Sequence, residues 1–158
     1  MHRLEVSTPS ETEILMTRKL DAPLDLVWRA YSEPALIRRW LLGPEGHTMP
    51  ECEVDFRTGG RWRYVWLFPD GETRMEAHGE FLEIAPKSLI RHTETFPDFS
   101  DMASQIVTRF SEAAGVTTVE QSCDYGSRAA RDAVLKSGME TGVEASFQRL
   151  DRIAATEA

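Results

Sequence analysis

The sequence is poor in cysteine. Cys52 and Cys123 are the only two in 158 residues, and they stand 71 positions apart with no Cys-x-x-Cys spacing. That excludes a disulfide framework and predicts two reduced thiols in a cytoplasmic compartment. No apolar run approaches the roughly 20 residues of a membrane span. The opening Met1-His2-Arg3-Leu4-Glu5-Val6 lacks the apolar centre of a signal peptide, so a soluble protein is expected. Positive charge is scarce: 18 basic residues face 26 acidic ones, a formal net charge of −8, and only three of the 18 are lysine. A balance of this sign opposes non-specific binding to nucleic acid or to an anionic membrane surface. Catalytic signatures are also missing. There is no Gly-x-Ser-x-Gly, no P-loop, no Gly-x-Gly-x-x-Gly and no Ser/His/Asp or Cys/His/Asp grouping. No catalytic residue, metal ligand set or cofactor is assigned.

What is present is an ordinary globular mixture, 41% hydrophobic and 28% charged, at a length that predicts one domain. Residues 1–11 are polar and lack periodicity, and read as a loose terminus. The domain proper spans 12–155. Thr12 to Leu20 alternates as a strand with mixed polarity on both faces, leaving its inward face open. Leu24, Val27, Trp28 and Tyr31 predict a short helix. Ser32-Glu33-Pro34 opens a second, with Ser32 as cap, Pro34 in its first turn, and Leu36, Ile37 and Trp40 as its stripe. Strands are predicted at 48–57, 60–68, 74–84, 88–96, 104–112 and 116–125. Their links carry turn chemistry, as in Gly59-Gly60, Pro69-Asp70-Gly71 and Ala113-Ala114-Gly115, and are too short for parallel crossovers. After Gly126, Ser127 caps a long final helix whose stripe is Leu135, Met139, Val143, Phe147, Leu150 and Ile153. Gly138 and Gly142 interrupt it and predict a bend or a close approach. The expected architecture is α+β, with about seven antiparallel strands packed on one long C-terminal helix.

Several residues in this order resemble the helix-grip (START-like, SRPBCC) superfamily. Within it, the chain is similar to the domain named for the activator of the 90-kDa heat-shock protein ATPase. The matching features are Asp21-Ala22-Pro23 followed by Val27-Trp28; Trp40 followed by Gly43-Pro44; Asp55 followed by Gly59-Gly60; Asp70-Gly71; Gly79 and Phe81 followed by Pro86; and Leu150. The resemblance implies a curved sheet wrapped on the last helix, with a space between them as the natural ligand site. It specifies no ligand or reaction, because one fold hosts many functions. The family often carries a large aromatic residue after the glycine of the last helix, where this chain has Gly142-Val143. A smaller side chain there leaves more room.

Trp62, Tyr64, Trp66 and Phe68 alternate with Arg61, Arg63, Val65 and Leu67, placing four aromatic rings on one strand face. That pattern fits the wall of a pocket for an apolar or planar molecule as well as it fits a core. The candidate ligand-binding set is Trp40, Trp62, Tyr64, Trp66, Phe81, His92, Met139 and Val143. Met139 is an adaptable contact from the helix side. His92 shares its face with Ile90, Glu94 and Phe96 at the rim, whereas His78 falls on a solvated face with Arg74, Glu76 and Glu80. His47, Glu51, Cys52 and Glu53 match no metal spacing. The leading expectation is non-catalytic binding of a small hydrophobic or aromatic molecule between sheet and helix. The rivals are a cavity enzyme of cyclase, hydrolase or isomerase type, resting on His92, and the chaperone-interaction module that the family name implies. A homodimer through a sheet edge or face stays open.

Overall fold

The computed structural model describes residues 2–157. Eight strands form one antiparallel sheet: β1 (Glu5–Ser7), β2 (Glu13–Leu20), β3 (Thr48–Val54), β4 (Arg61–Leu67), β5 (Arg74–Ala85), β6 (Leu89–Glu94), β7 (Ser104–Ala113) and β8 (Val116–Asp124). Their order across the sheet is β1-β2-β8-β7-β6-β5-β4-β3. Strands β3 to β8 therefore follow one another as hairpins, and β2 closes onto β8. Helices α1 (Leu24–Ser32) and α2 (Pro34–Trp40) link β2 to β3, and α3 (Arg128–Lys136) and α4 (Met139–Glu157) end the chain. The fold is α+β, a curved sheet wrapped on the C-terminal helix, as the resemblance implies.

Four sequence expectations need correction. Glu5–Ser7, within the stretch read as loose, adds an eighth strand by pairing Val6 with Met16. Three residues are too few to show a period. Ser32 does not cap α2; it closes α1, its hydroxyl donating to the Trp28 carbonyl at 3.0 Å, and Glu33 is the residue before Pro34. The final helix is two helices, because Gly138 adopts φ +82°, a left-handed conformation that ends α3. Leu135, placed in the apolar stripe, is 38% exposed on α3; Val134 packs inward instead. Ser127 does cap α3, accepting from the Ala130 N–H at 3.1 Å. The second glycine lies within α4 beside Pro44, where a Cβ would meet Pro44 Cδ at 3.4 Å, an ordinary van der Waals contact, so neither a bend nor a close approach requires glycine there.

The open question on β2 resolves in favour of Ile14, Met16, Arg18 and Leu20, all buried. Arg18 sits among them at 1% exposure because α4 brings two carboxylates to it. Its Nε donates to Glu144 at 2.9 Å and its Nη2 to Asp151 at 2.7 Å, with the guanidinium over the Phe147 ring. Together with Phe147, Leu150 and Ile153 against the sheet, this clamp holds α4 across the interior. The core divides into two apolar clusters, a large one around α1, α2 and β4 and a small one of Ile14, Met16, Ile106 and Cys123; Val143 packs on both. The candidate site lies where they meet.

Candidate functional site

Strand register decides which side chains turn toward α4. On β6 they are Ile90, His92 and Glu94; His92 lies opposite Phe81 of β5 and Ile106 of β7, and Glu94 opposite Ser104. On β4 they are Trp62, Tyr64 and Trp66, with Cys52 of β3 beside Tyr64. From β8 come Gln121 and Cys123, followed by Tyr125. Met139 and Val143 face them from the first turns of α4. At Gly79 the packing leaves no room for a side chain: a Cβ there would collide with the Thr93 carbonyl oxygen and lie 2.7 Å from Trp62 Nε1.

The sequence-predicted residues fall into two groups. Trp40, Trp62, Trp66 and Phe81 are buried walls. The Trp40 indole N–H donates to the Ala30 carbonyl at 2.7 Å and its ring lies against Tyr31 and Phe147, so it anchors α2. Trp66 likewise donates to the Leu41 carbonyl. Trp62 stands edge-on to His92 at 5.4 Å and 4.7 Å from Tyr64, and its buried indole Nε1 has no hydrogen-bond partner among the described residues. Tyr64, His92, Met139 and Val143 are different. They point inward but are not fully buried, as are Glu94 and Gln121. An inward side chain that a water-sized probe still reaches borders a space rather than a packed contact. Phe68 leaves the aromatic face, lying past the end of β4 against His47 at 4.5 Å.

Electrostatics single out Glu94, which the alternation put on the face of His92 but which was not chosen as a site residue. Burial pushes its carboxyl up to about 7, with no hydrogen bond or charge offsetting it. Burial holds His92 below the ordinary imidazole value, although a hydrogen bond to the Thr93 carbonyl acts the other way. That bond, 3.0 Å from Nδ1, requires the proton on Nδ1, since a carbonyl only accepts; Nε2 is left as an acceptor. Burial also raises Tyr64, Tyr31 and Tyr125, keeping the phenols neutral. It pushes Cys52 up to about 11 and Cys123 up to about 12, so both stay thiols and neither is an activated nucleophile. Sequence could not reveal that Glu94 lacks a partner, because the residues around it come from six separate elements.

The opposite face of the sheet is charged. A cleft of about 420 Å³ opens there between Arg61, Arg63, His78, Glu80 and Thr93. Arg63 is already engaged by Glu51 and Glu76, each at 2.9 Å, and His78 Nδ1 lies 3.1 Å from Glu76. Glu51 faces outward and Cys52 inward, which keeps these neighbours apart. Among the described residues no three His, Cys, Asp or Glu side chains gather as metal ligands.

Comparison with known proteins agrees with this architecture. The family model described as Activator of Hsp90 ATPase homolog 1-like protein matches residues 21–155. A crystal structure of a protein from Rhodobacter sphaeroides superposes with a TM-score of 0.90 at 27% identity, covering 99% of this chain and 100% of that one. One from Mycobacterium smegmatis gives 0.83 at 26% identity, with 94% of each chain covered. One from Nitrosomonas europaea gives 0.83 at 22% identity over 95% of this chain and 98% of that one, a likeness of fold alone. No curated protein matches the sequence. Among the described residues no helix is long and apolar enough to cross a membrane.

Proposed function

Because the chain belongs to the Activator of Hsp90 ATPase homolog 1-like family of the helix-grip superfamily, we propose that it binds a small hydrophobic or aromatic molecule non-covalently between the sheet and α4. One observation carries this reading: Tyr64, His92, Glu94, Gln121, Met139 and Val143 converge from four elements, point inward and still keep accessible surface. Their neighbours Trp62, Trp66 and Phe81 supply buried apolar walls. A ligand burying about 250 Å² of apolar surface would gain about 6 kcal/mol, and association costs about 4 kcal/mol or more. Micromolar affinity needs about 8 kcal/mol net. Apolar burial alone falls short, so the polar groups of this space must contribute.

Native mass spectrometry of the protein after incubation with a cell metabolite extract tests the reading. The expected result is a stoichiometric adduct of small-molecule mass that Val143→Trp or Met139→Trp abolishes without unfolding the protein. An adduct that persists in both variants moves the site elsewhere. No adduct, with the fold intact, turns attention to the chaperone-interaction reading and to pull-downs. A second reading, enzymatic turnover in the same space, draws on Glu94 and His92, a near-neutral carboxyl and a neutral imidazole two residues apart on one strand face. Release of a changed molecule, lost in Glu94→Gln and His92→Ala, would support it.

A further inference from the structure

We infer that the ligand of this space is a protonated amine on an aromatic or aliphatic body, and that Glu94 is the group that pairs with its nitrogen. This rests on the cavity reading above and names the chemistry of its occupant. The first observation is a carboxyl without a partner. Glu94 faces inward, makes no ion pair and no hydrogen bond among the described residues, and keeps accessible surface. A carboxyl in an apolar enclosure is costly unless something of opposite character meets it. The groups that face it are His92 on its own strand, Tyr64 from β4, Ser104 from β7, and Cys123 and Tyr125 from β8 and its end. None of these is cationic at neutral pH. The buried Arg18 is committed to Glu144 and Asp151. Among the described residues no cation meets Glu94, so an ionised Glu94 would take its counter-charge from a ligand.

The second observation is the character of the surroundings. His92 Nε2 is an acceptor, because Nδ1 donates to the Thr93 carbonyl. His92 and Glu94 lie two residues apart on one face, a spacing of roughly 7 Å along a strand. Two acceptors that close call for a ligand that donates. The third is a run of rings: Trp62 to Tyr64 at 4.7 Å, Tyr64 to Trp66 at 5.9 Å, and Trp66 stacked on Phe96 at 6.4 Å. Aromatic faces attract cations and hold apolar bodies at once. An anionic ligand would meet Glu94 with like charge, and a plain hydrocarbon would leave it unpaired. An ammonium on an apolar body satisfies all three features, and a chain of net charge −8 favours its approach.

Isothermal titration calorimetry on the full chain at pH 8 tests this with two near-isosteric probes, 2-(1-naphthyl)ethylamine and 2-(1-naphthyl)ethanol. The amine should bind at least tenfold more tightly. Glu94→Gln should erase that preference, bringing the two probes within about twofold of each other, and an unchanged circular dichroism spectrum with a cooperative melt shows that the variant is folded. Lowering the pH from 8 to 5.5 should weaken the amine and spare the alcohol, because Glu94 takes up its proton; the phenols and thiols do not titrate there, and any protonation of His92 acts in the same direction. Val143→Trp should abolish binding of both probes. Equal affinities, or an amine preference that survives Glu94→Gln, would overturn the inference and leave the cavity reading standing; probe binding that survives Val143→Trp would put the probes outside this space and overturn both. If neither probe binds, the cavity reading falls and this one with it.

Discussion

Glu94 is the residue whose energetics can be checked without any ligand. Its carboxyl is raised in the folded protein from an ordinary 4.5 to about 7, by burial alone. An acid raised on folding weakens the fold once ionised. The penalty is absent below about pH 4.5, grows between 4.5 and 7, and is constant above. Glu94→Gln should therefore raise thermal stability at pH 8 by up to about 3 kcal/mol, and the two melting curves should converge near pH 4.5. Melts across that range check it; a variant that is less stable at pH 8 would mean that Glu94 has a partner in the empty protein. His92 titrates with the opposite sign, losing stability as pH falls below the ordinary imidazole value, so the comparison must be between variant and parent at each pH. Strand alternation made the shared face of His92 and Glu94 legible. The absence of a partner was not legible, since it depends on what four other strands and a helix bring to the same spot.

The element that defines the site is α4, and its attachment is uneven. From Glu144 onward it is fastened by the Arg18 clamp, by Ser146 Oγ accepting from the Gly43 N–H at 2.9 Å, and by Arg149 donating to the Gly43 carbonyl at 2.6 Å. Glu144 also accepts from the Leu4 N–H, tying in the chain that leads to β1. Met139 and Val143 precede these fastenings and follow the break at Gly138. Replacing both carboxylates, Glu144→Ala with Asp151→Ala, leaves Arg18 buried without a counter-charge and should cost about 3–5 kcal/mol. Either single change should cost less, because the other carboxylate remains. Urea unfolding of the three variants checks this; additive small losses would mean that water already reaches Arg18. The sequence marks both glycines of this region but not that only Gly138 takes a positive φ and breaks the helix, while Gly142 sits inside α4 with room for a Cβ. Arg18 was likewise hidden, since a strand of mixed polarity on both faces leaves its inward face open until α4 supplies two acids.

At the scale of the whole molecule, the hairpin order from β3 to β8 was legible because the links carry strong turn residues and are short. β1 escaped because three residues carry no period, and Trp40 proved an anchor of α2 because its indole N–H is consumed by its own helix pair. The two faces of the sheet divide the chemistry. The outer face spends its charges on one another around Arg63, and the inner face holds rings, neutral polar groups, Arg18 paired to two acids of α4, and Glu94, unpaired among the described residues. The central claim is that a small molecule occupies the inner side. The direct measurement is an NMR titration of the labelled protein with 2-(1-naphthyl)ethylamine, reading intermolecular NOEs. Contacts from the naphthyl ring to the Met139 and Val143 methyl groups and to the Tyr64 ring are predicted. NOEs confined to Arg63, His78 and Thr93 on the outer cleft, or none at saturating ligand, would contradict the account.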